Sequence, residues 1–262
     1  MAAKLAILGG GNMGAALAGG LVRGAWCQPD ELAIVEVVAA RREVLAQQFP
    51  GVQVSDTVGP CSAAVIAVKP HDVPDAVAAA VAGGARRVLS IAAGVSLATL
   101  CEAAGSGVAV VRSMPNTPAL VGEGASAIAG GTDITEADLV WAEGILGAVG
   151  SVVRVPEYQL DAVTGLAGSG PAYLFLIAEA LIDAGVLAGL ARPVAVQLVE
   201  QLFVGSAALL ADRGDPAALR AMVTSPGGTT AAGLRELEQA GVRSALLEAV
   251  MAATARSREL GA

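Results

Sequence analysis

Leu5-Ala6-Ile7-Leu8-Gly9-Gly10-Gly11-Asn12-Met13-Gly14 is the stretch that decides the fold. A short apolar run enters a G-x-G-x-x-G spacing, and a helical pattern from Ala15 to Arg23 follows. Strand before and helix after is the context in which this glycine spacing binds a dinucleotide. Gly9 permits the tight turn, Gly11 lets a pyrophosphate approach the backbone, and Gly14 lets the helix pack close on the strand. A second apolar run, Leu32 to Val35, ends in Glu36, about where an acidic residue would take the adenosine ribose hydroxyls.

Strand and helix signals then alternate. Ala63 to Val68 reads as a buried strand, Val73 to Val81 as a helix, Val88 to Ile91 as a strand, Leu97 to Ala104 as a helix and Val108 to Val111 as a strand. The alternation predicts a parallel sheet covered by helices on both faces, a Rossmann-like α/β fold with ligands beyond the carboxyl ends of the strands. Lys69-Pro70-His71 and Ser113-Met114-Pro115-Asn116-Thr117-Pro118 occupy two of those ends, stiffened by proline. From Tyr158 onward no strand signal remains. Helical patterns run from Ala172 to Leu187, Pro193 to Leu210, Pro216 to Met222, Ala231 to Gln239 and Val242 to Leu260. Two domains are therefore expected, 1–157 and an all-α 158–262, with Pro156 interrupting both periods near the boundary.

Composition excludes several classes. A net charge of −8 and no basic stripe argue against nucleic acid. Hydrophobic residues make up 55% and charged residues 15%, which raises the question of a membrane span. The most apolar segment, Tyr173 to Leu190, carries Glu179 and Asp183 on one helical face, so it reads as a helix buried against another subunit. An obligate oligomer built through the helical half is the expectation. Cys27, Cys61 and Cys101 are scattered, without C-x-x-C spacing, and read as inert thiols of a reducing compartment. Met1-Ala2-Ala3-Lys4 runs into the first strand with no room for a signal peptide, so a cytoplasmic address is expected.

Late in the chain, Thr224-Ser225-Pro226-Gly227-Gly228-Thr229-Thr230 places hydroxyls around a Pro-Gly-Gly corner directly before a helix. An exposed helix start carries roughly +0.5 charge and unpaired N–H donors, enough to hold a small carboxylate without Arg or Lys. A capped inter-helix turn is the plain alternative. The chain has two lysines, Lys4 and Lys69, and a single histidine, His71, none of them in the helical half. Neither Tyr158 nor Tyr173 has a Lys four residues on. A ketone reductase must protonate an alkoxide and commonly uses such an acid. A C=N substrate relaxes that demand, because an imine nitrogen is basic and needs only a hydroxyl such as that of Thr230. No His, Cys and carboxylate spacing suggests a metal.

These motifs together resemble the pyrroline-5-carboxylate reductases over essentially the whole chain. The resemblance rests on Ile7 to Gly14, Ala67-Val68-Lys69-Pro70, Arg112 to Val121, Gly168-Ser169-Gly170-Pro171-Ala172-Tyr173, the Thr224 to Thr230 loop and Leu234 to Glu238. It implies reduction of (S)-1-pyrroline-5-carboxylate to L-proline with NADPH or NADH, the last step of proline synthesis. It also implies an interleaved homodimer through the helical domain, in many relatives five dimers in a decamer. Gly9, Gly11, Asn12, Met13 and Gly14 fall on the phosphate turn, Lys69 and Pro70 on the nicotinamide-ribose side, and Asn116 near the nicotinamide. Gly227, Gly228, Thr229 and Thr230 fall on the substrate pocket, with Thr230 and Ser225 as the catalytic hydroxyls. Many relatives carry Arg or Ser/Thr where this chain has Glu36-Val37-Val38, which bears on the choice between NADH and NADPH; Arg41 and Arg42 follow. Two other readings stay open: a related two-domain hydroxyacid dehydrogenase, and a non-catalytic dinucleotide sensor.

Overall fold

The computed structural model describes residues 2–132 and 134–261. In chain order the first elements are β1 (Leu5–Leu8), α1 (Asn12–Arg23), β2 (Leu32–Val35), α2 (Ala39–Gln48), β3 (Gln53–Ser55), β4 (Ala63–Ile66), α3 (Val73–Ala82), β5 (Arg87–Ser90), α4 (Leu97–Ala104) and β6 (Ala109–Met114). Then come β7 (Gly124–Gly130), α5 (Glu136–Leu146), β8 (Gly150–Arg154) and α6 (Leu160–Val163). The remaining elements are helices: α7 (Gly170–Leu187), α8 (Arg192–Arg213), α9 (Pro216–Met222), α10 (Thr229–Gln239) and α11 (Val242–Leu260).

The sheet runs in the order β3-β2-β1-β4-β5-β6-β7-β8. Strands β1 to β6 pair in parallel, as the alternation of signals requires, but β7 lies antiparallel to β6 and parallel to β8. Two clusters of buried side chains flank the sheet. Ile7, Leu17, Leu21, Ile34 and Leu45 fill one face. Leu8, Ile66, Val77, Val88 and Leu100 fill the other. Complete burial of β1 and β4 on both faces is what continuous apolar runs such as Leu5-Ala6-Ile7-Leu8 produce in a parallel sheet. Burial also pushes the Cys27 and Cys61 thiols above their usual pKa, which keeps them protonated and unreactive.

Contacts divide the chain into two compact units. One comprises the residues up to Ser169 together with those from Met251 on, and the other is Gly170–Val250. The end of α11 belongs to the first unit, where Ser257 Oγ donates to Asp161 Oδ1 at 2.7 Å. Within Gly170–Val250, by contrast, only Ala195 and Val199 are buried. Phe175 is 65% exposed and Leu187 90%, and Leu174, Leu176, Leu198, Leu202 and Val204 are exposed as well. Helices packed this way have no core of their own.

The stretches Glu157–Leu187 and Arg192–Arg213 have the length and hydropathy to cross a membrane. Glu179 and Asp183 therefore do not by themselves exclude a span, because two charges leave the mean hydropathy of such a window at 1.5. What the exposed side chains require is apolar cover from outside the single chain, which the oligomer expected from the sequence would supply. Each large apolar side chain that becomes buried contributes about 1.5–3 kcal/mol, so a handful makes the isolated subunit a minor species. Sedimentation at micromolar concentration is expected to show no folded monomer, and a stable, active monomer would refute this account.

Candidate active site

At the carboxyl ends of the strands the order reverses between β1 and β4, and a cleft of about 640 Å³ opens there. Gly9, Gly11, Glu36 and Lys69 line it with Val35, Val38 and Val68. It lies at the topological switch point, where open α/β sheets bind their ligands. The turn between β1 and α1 has little freedom. Gly9 has φ +107° and donates to the Val35 carbonyl at 2.8 Å, and a Cβ on it would collide with the Ala67 carbonyl of the neighbouring strand. A Cβ on Gly14 would collide with the Gly9 carbonyl and lie 3.3 Å from Ile7 Cγ2, so the helix packs as close as the spacing predicts. Gly11 is the opposite case, because a Cβ there would meet nothing within 4 Å. The space above it is left for a ligand.

The start of α1 is an open anion site. Gly11 caps it without a side-chain hydrogen bond, and the first turn holds no acidic residue. Among the described residues no acceptor outside the helix pairs with the N–H groups of Gly11, Asn12 and Met13, as anion binding at a helix start requires. Glu36 stands at the end of β2 with its carboxylate fixed by two amides. Gly10 donates to Oε2 at 3.0 Å and Val38 donates to Oε1 at 2.9 Å. Gly10 itself went unassigned in the glycine spacing, yet a Cβ there would displace Leu45 Cδ1 and press on Glu36. The run of three glycines was the available signal.

Not every expected cofactor residue faces the cleft. Asn12 and Met13 head α1, and Asn12 borders a separate hollow of about 190 Å³ with Arg23 and Arg41. Pro70 opens a short 3₁₀ turn, Pro70–Asp72, just beyond Lys69. Asn116, 9% exposed, spends its amide inside the protein, accepting from the Ala125 amide and donating to the Ala167 carbonyl. Arg41 Nε donates to the Gly10 carbonyl at 2.8 Å, on the same residue whose amide holds Glu36. Arg42 is occupied by the Glu36 and Val37 carbonyls and Asp56.

In the helical unit the Thr224 to Thr230 loop forms a type II turn. Pro226 precedes Gly227 at φ +70°, and the Gly228 amide donates to the Ser225 carbonyl at 3.1 Å. A Cβ on Gly228 would make the Ser225 hydroxyl turn away. Helix α10 begins at Thr229, two residues earlier than its sequence pattern indicates, with no side-chain cap and no acidic residue in its first turn. This corrects the expected cradle. Gly228 uses its N–H to close the turn, so the outward donors start with Thr229 and Thr230. Among the described residues the Thr230 hydroxyl has no hydrogen-bond partner, and Thr224 Oγ1 donates back to the Arg220 carbonyl at 2.6 Å. Among the described residues no cluster of three His, Cys, Asp or Glu could hold a metal.

A switch-point cleft with a glycine turn, followed in the same chain by a helical unit with an uncapped helix start, is the plan of a two-domain dinucleotide-dependent oxidoreductase. Comparison with known proteins agrees. Residues 4–94 match the family described as NADP oxidoreductase, coenzyme F420-dependent, and residues 157–260 match pyrroline-5-carboxylate reductase dimerisation. Pyrroline-5-carboxylate reductase from a Synechocystis strain is 46% identical, covering 100% of this chain and 99% of its own. The solved Coxiella burnetii pyrroline-5-carboxylate reductase superposes with TM-score 0.92 at 31% identity, each chain covered in full. The Plasmodium falciparum enzyme, solved with NADP bound, gives 0.84 at 30% identity over 99% of this chain and 98% of its own. The chain belongs to the pyrroline-5-carboxylate reductase family. The dimerisation match accounts for the uncovered apolar helices as a subunit interface, so the protein is a homo-oligomer that uses NAD(P)H.

Gly11→Ala separates ligand space from packing space. Its methyl meets no atom of the chain, so the apo melting temperature is expected to stay within a few degrees. Coenzyme affinity, measured by fluorescence titration, is expected to fall at least ~10-fold, since the methyl occupies the pyrophosphate approach.

Proposed function

We propose that this protein reduces (S)-1-pyrroline-5-carboxylate to L-proline, the last step of proline synthesis, as a soluble cytoplasmic enzyme. Residues 1–157 serve as the dinucleotide-binding domain and 158–262 as the helical dimerisation and substrate domain, with the dimer as the building block and a pentamer of dimers as the further assembly. The observation that carries the reading is the uncapped start of α10 behind the Ser225 to Gly228 turn. It offers backbone donors and a threonine hydroxyl to a small anionic substrate in a half of the chain without Lys or His.

When bound, NAD(P)H supplies the hydride that reduces C5 of the ring. Gly9, Gly11, Asn12, Met13 and Gly14 hold its pyrophosphate on the turn, Glu36 faces the adenosine ribose, and Lys69 and Pro70 flank the nicotinamide side. The substrate carboxylate sits on the Thr229 and Thr230 amides beside Gly227, Gly228 and Ser225. Thr230 Oγ donates to the ring nitrogen and orients the C=N bond. Such positioning and fixed dipoles supply several kcal/mol without an acid of matched pKa. Oxidation of NADH or NADPH with pyrroline-5-carboxylate, set beside 2- and 3-hydroxy acids in the reverse direction, tests the reading. Turnover of a hydroxy acid alone would favour the dehydrogenase alternative, and coenzyme binding without turnover would favour a sensor.

Glu36 governs the coenzyme. A carboxylate locked by the Gly10 and Val38 amides cannot swing away from a 2′-phosphate, and desolvated repulsion of that kind costs about 1–3 kcal/mol. NADH is expected to be usable, and Glu36→Ser to shift the ratio of kcat/KM toward NADPH. An unchanged ratio would place the carboxylate away from the adenosine ribose.

Thr230→Ala is expected to lower kcat/KM by roughly 10- to 1000-fold, about 1.4–4 kcal/mol of transition-state stabilisation. Coenzyme binding is expected to change little, since the phosphate turn belongs to the other unit. Near-normal kcat/KM in steady-state assays would leave the loop a carboxylate cradle and remove the hydroxyl from the chemistry.

A further inference from the structure

The segment that ends β6 is tied down within the first unit at three points. Ser113 Oγ donates to the Ser90 carbonyl at the end of β5, at 3.0 Å. Asn116 Oδ1 accepts from the Ala125 amide in β7 at 2.8 Å, and its Nδ2 donates to the Ala167 carbonyl at 3.1 Å. Ala167 lies in a π-helical turn, Thr164–Gly168, that immediately precedes the Gly168-Ser169-Gly170 stretch. A Cβ on Gly168 would stand 2.6 Å from Met114 Cε, so the turn lies against the Met114 side chain at the end of β6. Isolated π-turns are rare and occur frequently at functional sites. The bridge needs a group that both accepts and donates, which an amide does and an ionised carboxylate does not.

We infer that Asn116 is a positioning residue for hydride transfer. Its amide bridges the Ala125 N–H and the Ala167 carbonyl, and so fixes the Met114-Pro115 backbone at the carboxyl end of β6. That edge of the sheet is where the ligand of a dinucleotide fold must react. Asn116 acts through this backbone, not by contact with the coenzyme, because its side chain is already committed within the chain. The inference rests on the reductase reading above and adds a residue that the reading does not use in this way.

Asn116→Asp tests it. The protonated acid has the shape of the amide: its carbonyl accepts from Ala125 and its O–H donates to Ala167. The carboxylate instead faces the Ala167 carbonyl with no donor. Burial and that carbonyl raise the introduced carboxyl's pKa, so the functional form is the one present at lower pH. The titratable groups on the surrounding elements are Arg112 with its partner Glu157, Glu123 ahead of β7, and Asp161 bonded to Ser257. Wild type measured at each pH corrects for them.

At pH 8 the variant is expected to lose roughly 10- to 100-fold in kcat, with a larger primary isotope effect from 4-deuterated coenzyme, and to recover at least ~5-fold relative to wild type by pH 6. Coenzyme affinity is expected to stay within about 3-fold throughout. A ratio to wild type that does not change with pH, or lost coenzyme affinity at unchanged kcat, would overturn the inference. Should that variant fold poorly, Gly168→Ala crowds the Met114 side chain from the other side. Its kcat is expected to fall and to recover in part when Met114→Ala is added, and absence of recovery would also overturn it. Failure of the reductase reading is distinct, because it would appear as an inactive wild type.

Discussion

The close approach of β1 and β4 at their carboxyl ends sets the terms for the rest of the molecule. With Gly9 pressed on the Ala67 carbonyl and Gly14 pressed on Gly9, the first turn of α1 lies directly over the end of β1. Its unpaired N–H groups then face the cleft that the reversed strand order opens. A side chain at either glycine would lift the helix and move the donors. The same geometry draws Glu36 in, because the Gly10 amide it accepts from belongs to the turn itself. The glycine turn and Glu36 are therefore coupled through one residue, Gly10, whose carbonyl also holds Arg41.

The two donor sites of the chain follow one physical rule. A helix start that is neither capped by a side chain nor followed by an acidic residue leaves its first amides for an anion. Gly11 caps α1 and Gly228 caps α10, and neither has a side chain to compete for those amides. At neither place does the backbone angle demand glycine, with φ −65° at Gly11 and −76° at Gly228, so the bare helix starts are what the two positions share. A chain this poor in Lys and His can bind anions by this means. It also fits a reaction in which the acceptor nitrogen is basic and needs orientation more than acid catalysis.

Helices α7 and α8 carry the opposite constraint. Nearly every side chain they bear is accessible in one copy, so their stability is not a property of the single chain. Length and hydropathy alone allow a bilayer or a subunit as cover. The match of residues 157–260 to a dimerisation domain identifies the cover as protein.

Much of this was legible in the residues. Long periodic segments gave α4, α9 and α11 to the residue, and the apolar runs gave β1, β2, β4 and β5 within a residue or two, because burial on both faces enforces their composition. The glycine spacing gave the phosphate turn, and the Pro-Gly-Gly corner gave the start of α10 to within two residues. Strands β3, β7 and β8 were not legible. Gly124 to Gly130 has the sequence Gly-Ala-Ser-Ala-Ile-Ala-Gly, with low strand propensity, and becomes a strand only because β6 and β8 supply partners for its backbone. Nor could spacing reveal that Gly228 spends its amide on Ser225, or that Asn116 bridges Ala125 and Ala167 across more than fifty residues of chain. Local sequence determined which segments are strands, helices and glycine turns, because propensity and periodicity act over a few neighbours. Which donors remain free, and which side chains are committed elsewhere, was decided only by tertiary structure, because a hydrogen bond is spent on whatever the fold brings within 3 Å.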